Sequence, residues 1–179
     1  MAVKDKKQRL FFALWPSAKV RQSIVETAAP LLHGMDARVI APENFHITLH
    51  FIGSVTDAEK DCLHQAARKL AFQPFDLSLD GFGFFDKAKI FWMGMQAAPV
   101  ELSCLHKNLG EALSACDYQP DPRPYSPHVS LLRKAGKVPV EHQPFSISWH
   151  VDEFVLVESV SSPEGVNYKV IEKYPLPIK

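Results

Sequence analysis

Neither sign of charge is in excess in this sequence: Lys plus Arg number 20, and Asp plus Glu number 20. No global basic field therefore announces a nucleic-acid partner, and any anionic ligand must be held by a local cluster of cations. Cysteine is scarce. Cys62, Cys104 and Cys116 are odd in number and lack the spacing of a metal site. Reduced thiols are expected, with Cys62 and Cys116 packed on apolar helix stripes. No His-x-His, Cys-x-x-Cys or His-Glu-x-x-His spacing occurs, which disfavours a metal site, and no cofactor is expected. Long hydrophobic runs are missing too. Nothing approaches the roughly 20 apolar residues of a membrane span, and the charged residues 1–9 lead into only a short apolar run, unlike a secretory signal. The expected location is the cytoplasm.

What is present fits one domain, or two intimately packed lobes: 179 residues, 46% hydrophobic and 22% charged, enough to bury a proper core. Residues 10–15 are a continuous apolar run suited to a buried strand. Ser17 can cap a helix with Val20, Ile24 and Ala28 on its apolar face, closed by Pro30 and Gly34. A loop through Pro42 leads to the strand His46-Ile47-Thr48-Leu49-His50-Phe51-Ile52, ended by Gly53. Thr56-Asp57-Ala58-Glu59 is a capping box for a helix with Leu63, Ala66, Ala67 and Leu70 as its stripe. Phe75, Leu77 and Leu79 then alternate with polar residues as a half-exposed strand.

The same order returns. Residues 90–95 form an apolar strand, and Pro99 can open a helix with the stripe Leu102, Leu105, Leu109, Ala112 and Leu113. The proline-rich loop 120–127 delivers His128-Val129-Ser130-Leu131-Leu132-Arg133. Phe145, Ile147, Trp149 and Val151 alternate as the Phe75 strand does, and two strands joined at Pro163-Glu164-Gly165 finish the chain. We read an α+β fold of two pseudo-symmetric lobes, each of antiparallel sheet plus helices, flanking a central cleft. The duplicated units are expected at about 9–80 and 89–151, with C-terminal strands over 151–176, within one bilobal domain spanning 1–179. The alternative is one α+β sandwich whose repetition is accidental.

Side chains alternate along a strand, so His46 shares a face with Thr48, and His128 with Ser130. Ile47, Leu49, Val129 and Leu131 point into the core. Two imidazoles supply a base and an acid near neutral pH. Two hydroxyls add hydrogen-bond donors, and Arg133 adds positive charge without a metal. His50 shares the His46 face and could line the cleft, although a satisfied or solvent-facing histidine is the more ordinary state. Phe82, Phe84 and Phe85 are core or cleft rim; core is favoured.

These paired His-x-Thr and His-x-Ser strands resemble the two-histidine phosphoesterase superfamily, and within it the bacterial RNA 2′,3′-cyclic phosphodiesterases, or LigT-type 2′-5′ RNA ligases. The likeness covers nearly the whole chain. It includes Arg9-Leu10-Phe11-Phe12-Ala13, residues 44–53, residues 123–133, Glu153-Phe154-Val155-Leu156-Val157-Glu158-Ser159 and the turn at 165–168. Ser130 departs from the threonine more common in the second motif, but keeps the hydroxyl. The resemblance implies that His46 protonates the departing ribose 3′-oxygen while His128 activates water, leaving a 2′-phosphate on RNA. The reverse reaction would join RNA ends through a 2′-5′ linkage without ATP. It further implies an aromatic near the nucleoside at Phe51 and a phosphate-contacting arginine at Arg133. Strict alternation turns both away from the histidines, so a bulge is needed to bring them round; otherwise Phe51 is core and Arg133 a surface ion-pair partner. The expected partner is RNA with a 2′,3′-cyclic phosphate end, and the expected state a monomer. Alternative substrates are a cyclic mononucleotide or the cyclic phosphate of ADP-ribose, and the alternative class is a catalytically silent RNA-binding module.

Overall fold

The computed structural model describes residues 7–136, 142–163 and 165–176. In chain order its elements are β1 (Gln8–Leu14), α1 (Ala18–Leu32), β2 (Arg38–Val39), β3 (Ile47–Val55), α2 (Asp57–Arg68), β4 (Phe75–Leu79), β5 (Gly81–Phe85), β6 (Ile90–Gly94), α3 (Val100–Leu113), β7 (His128–Arg133), β8 (Ile147–Val151), β9 (Glu153–Ser162) and β10 (Gly165–Pro175). Short 3₁₀ turns at Pro42–Asn44 and Ser114–Cys116 enter the loops before the two histidines. Of the expected final turn, Glu164 lies outside the described residues, as do residues 1–6 of the charged start. Among the described residues no helix is long and apolar enough to cross a membrane.

The caps read from the sequence are formed. The Val20 amide donates to Ser17 Oγ at 3.3 Å, starting α1. The Thr56 amide donates to Glu59 Oε2 at 2.7 Å and the Glu59 amide to Thr56 Oγ1 at 3.3 Å, closing both halves of the capping box of α2. Pro30 does not close α1, which runs on to Leu32. A proline this near a helix end removes only one late hydrogen bond, and the packed Val20–Ile24–Ala28 stripe holds the turn.

The larger sheet runs β10-β9-β1-β3-β7-β6-β5, with β2 also alongside β7; β4 and β8 pair as a second sheet. Neighbours are antiparallel throughout. The two histidine strands β3 and β7 share a single registered pair, Ile47 with Val129. Beyond it the same edge of β7 is taken by β2, which pairs Arg38 with Arg133. The sheet therefore opens at its middle, where both histidines stand. One face carries the main core, with Leu10, Phe12, Ile47, Leu49, Phe91, Met93, Val129 and Leu131 packed with the helix stripes. On the other face, Phe11, Ala13, Val155 and Val157 pack with Trp15 and Tyr168. Strand β1 is thus buried on both faces, as its unbroken apolar run required.

Two elements were not legible. β5 is rich in glycine and aromatics and shows no alternation, and β2 is two residues long. The expectation of reduced thiols is overturned for one pair: Cys62 and Cys116 form a disulfide, and Cys104 is free and exposed. An odd count excludes complete pairing, not a single pair, and helices α2 and α3 pack side by side to bring these two together. Denatured, unreduced protein should therefore show one reactive thiol by thiol titration and three after reduction. Three before reduction would contradict the bridge.

Candidate active site

Each histidine is set by the same local device. His46 Nδ1 donates to the Asn44 carbonyl at 2.7 Å, and His128 Nδ1 to the Ser126 carbonyl at 2.7 Å. A carbonyl only accepts, so in both neutral rings the proton sits on Nδ1 and Nε2 carries the lone pair that can accept. His46 Nε2 lies 3.1 Å from Thr48 Oγ1 on its own face. With Ile47 opposite Val129, a regular ladder sets His46 beside Ser130 and Thr48 beside His128. The two histidines then stand diagonally, roughly 7–8 Å apart.

The bulges that a place for Phe51 and Arg133 beside the histidines requires are present. The register of β1 on β3 slips between Phe12 and Ala13, whose partners are His50 and Thr48, so Leu49 is the extra residue. The register of β6 on β7 slips between Phe91 and Trp92, whose partners are Leu132 and Ser130, so Leu131 is the extra residue. Each bulge reverses the alternation. Arg133 is thereby returned to the Ser130 face. It lines a cavity of about 620 Å³ with His46, Thr48, His128 and Ser130. Phe51 returns to the face of its partner Phe11 and is 51% exposed, so it is not core. It lines an adjoining cavity that shares Thr48 and His128 with the first. The Arg9 guanidinium covers its ring at 4.9 Å.

The same bulge corrects the placement of His50, which is turned off the His46 face and buried. Its Nε2 donates to the His106 carbonyl at 2.7 Å, and its Nδ1 meets the Tyr118 hydroxyl at 3.2 Å. It is a satisfied histidine. The ring of His50 stacks on His106 at 4.3 Å, and His106 on Tyr125 at 3.8 Å. Tyr125 Oη then donates to the Thr48 carbonyl at 3.0 Å. That column ties the proline-rich loop to β3, and so fixes the loop that carries Ser126 and His128.

Several residues of the site had no role assigned from the sequence. Asn44 supplies the carbonyl for His46 and anchors its side chain to the Val166 carbonyl at 3.3 Å. Trp15 stacks on the His46 ring at 5.6 Å and 8°, with Phe11 at 4.9 Å and Tyr168 edge-on at 5.2 Å. Across the cleft, His128 is walled by Phe85 at 4.9 Å and Trp92 at 5.9 Å. Phe85 is thus cleft rim and not core, while Phe82 and Phe84 pack against the core. A Cβ at Gly83 would sit 2.1 Å from the Trp92 indole, which explains a glycine inside β5. Such residues are found only by knowing which strand lies next to which.

Burial lowers His46 to about 4, assisted by the positive charge of His128 and Arg133 and opposed by the hydrogen bond to Asn44. His128 is also lowered, by burial first and then by Arg133. Both rings are therefore neutral in the free protein near pH 7. An unfolded histidine takes its proton near 6.5, so the unfolded chain binds more protons between about 6.5 and 4. The His46 contribution to stability is complete above that window and is lost as pH falls through it. Side-chain NMR of the free protein should show His46 titrating near pH 4, and added inorganic phosphate should move it upward. A midpoint near 6.5 that ignores phosphate would contradict this electrostatic picture.

Residues 36–162 match the family model of the 2′-5′ RNA ligase superfamily. The RNA 2′,3′-cyclic phosphodiesterase of Escherichia coli is 30% identical over 94% of this chain and 97% of its own. That of Thermus thermophilus is 31% identical over 94% of this chain and 90% of its own. The crystal structure of E. coli LigT in apo form superimposes with a TM-score of 0.87 at 30% identity, covering 96% of this chain and 98% of that one. With the paired histidine strands, their bulges and the shared cavity, these matches show that the chain belongs to the 2′-5′ RNA ligase superfamily.

Proposed function

We propose that this protein hydrolyses the 2′,3′-cyclic phosphodiester at an RNA end to a 2′-phosphomonoester, with acid, base and charge all supplied by side chains. The observation that carries the reading is the common cavity of His46 and His128, each with Nδ1 tied to a carbonyl so that Nε2 is the basic atom, and with a hydroxyl and Arg133 beside them. The relatives named RNA 2′,3′-cyclic phosphodiesterase support the substrate class.

His128 Nε2 takes a proton from water as the water oxygen attacks phosphorus. The P–O3′ bond breaks on the far side, and His46 Nε2 gives its proton to O3′. Two such groups on opposite sides of phosphorus suit an in-line displacement. Thr48, Ser130 and Arg133 hold the non-bridging oxygens, where charge must be steadied. Phe51, on the adjoining cavity, stacks on the terminal nucleoside. His46 is neutral when the site is empty, so the substrate must restore its proton. The phosphate brings a negative charge between His46 and the cations that depress it, and the stacked Trp15 favours the imidazolium.

The same site, run backwards with a ribose 5′-hydroxyl in place of water, joins RNA through a 2′-5′ linkage without ATP, although hydrolysis dominates in water. The matching burial of residues 46–51 and 128–133, with an extra residue in the same place, supports one bilobal domain made by internal duplication over about 9–80 and 89–151. A monomer acting in the cytoplasm completes the proposal.

His46→Ala and His128→Ala should each lower kcat by about 100-fold or more, the usual worth of a proton-transfer group. The double variant should be little worse than either, because the two act on one transition state. Steady-state assay on a cyclic-ended oligonucleotide decides this, and near wild-type turnover by either single variant would sink the mechanism.

A further inference from the structure

The cavity holds more positive charge than its reaction needs. A cyclic phosphodiester carries one negative charge, and Arg133 with one imidazolium already exceeds it. Arg38, on β2, lines the same cavity, and among the described residues no Asp or Glu does. Its backbone stands opposite Arg133, four positions along β7 from the Ile47–Val129 seam. Allowing for the bulge at Leu131, that is roughly 10 Å from the histidines. The side chain reaches the β9–β10 hairpin. A Cβ on Gly165, where the β9–β10 hairpin turns, would meet Arg38 Nη2 at 2.8 Å. Gly165 also has φ +141°, which favours glycine there independently. Arg133 depresses both histidines by its charge. The two arginines line one cavity from paired backbone positions, with the Arg38 guanidinium against the hairpin at Gly165. Asn167, on β10, adds a further polar side chain to the lining.

We propose that Arg38 binds a second phosphate of the substrate, the phosphodiester on the 5′ side of the terminal nucleotide, and so makes this an enzyme of oligonucleotide ends in preference to nucleoside cyclic phosphates. A guanidinium suits this task because its planar fork meets phosphate oxygens two at a time. The contact positions the chain and reads no base. This rests on the hydrolysis proposed above and narrows its substrate.

The test compares a dinucleotide bearing a 2′,3′-cyclic phosphate and a free 5′-hydroxyl with the nucleoside 2′,3′-cyclic phosphate of the same terminal base. Wild-type protein should favour the dinucleotide in kcat/KM by about tenfold or more, the range for a hydrogen-bonded charge contact, chiefly through KM. Arg38→Gln should bring that ratio close to one and lower the salt dependence of log KM for the dinucleotide by about 0.7, one phosphate contact on a single strand. Arg38→Lys, which keeps the charge, should restore most of the salt dependence. Equal wild-type use of both substrates would overturn this inference alone, as would an equal loss on both in Arg38→Gln, which would assign Arg38 to the reacting phosphate. Turnover of neither substrate by the wild type would overturn the hydrolysis as well.

Discussion

The pairing of Ile47 with Val129 is the contact on which the cleft depends. It joins two strands that then part, and it does so with both side chains fully buried in the core. Their neighbours on either side are turned to the opposite face, so one apolar pair fixes four polar groups at once. A slip of one residue would send the histidines into the core and the aliphatics into the cleft. Burial of Ile47, Leu49, Val129 and Leu131 makes that slip costly, and the register of the site is thereby held by the hydrophobic effect.

The second constraint is electrostatic. Deep placement in an aromatic cup leaves His46 neutral, with its remaining lone pair directed by the Asn44 carbonyl. A buried imidazole beside cations would ordinarily be a poor proton donor. An anion in the cleft reverses the balance, because it adds the opposite charge where burial and repulsion had removed the proton. In the proposed mechanism, charging of His46 as the acid is thus coupled to occupation of the site.

Most of the elements could be read from the residues. The unbroken apolar run of β1, the cap at Ser17, the box at Thr56 and Glu59 and the alternation of β4 and β8 each rest on local chemistry, and each is realised. The histidine and hydroxyl faces followed from alternation alone. Beyond Thr48 and Ser130 that rule fails, since a bulge is defined by a partner strand and not by its own sequence. The rule put His50 in the cleft and left Arg133 outside it until a bulge was invoked. Arg38, Trp15, Trp92 and Tyr168 were silent for the same reason: their roles come from strand neighbours distant in the chain. The bridge between Cys62 and Cys116 likewise depends on how two helical segments pack, which a cysteine count does not encode.

Control over which bond breaks is the central claim of the proposed mechanism, in which two histidines on opposite sides of one phosphorus allow only one ribose oxygen to sit beside the acid. Free solution chemistry opens a 2′,3′-cyclic phosphate to a mixture. Phosphorus NMR of the product from a cyclic-ended oligonucleotide, against authentic 2′- and 3′-phosphate standards, measures the outcome directly. With His46 as the acid at O3′, the 2′-phosphate should be the sole product. A predominant 3′-phosphate would exchange the roles of His46 and His128, and a mixture would contradict the cleft geometry itself.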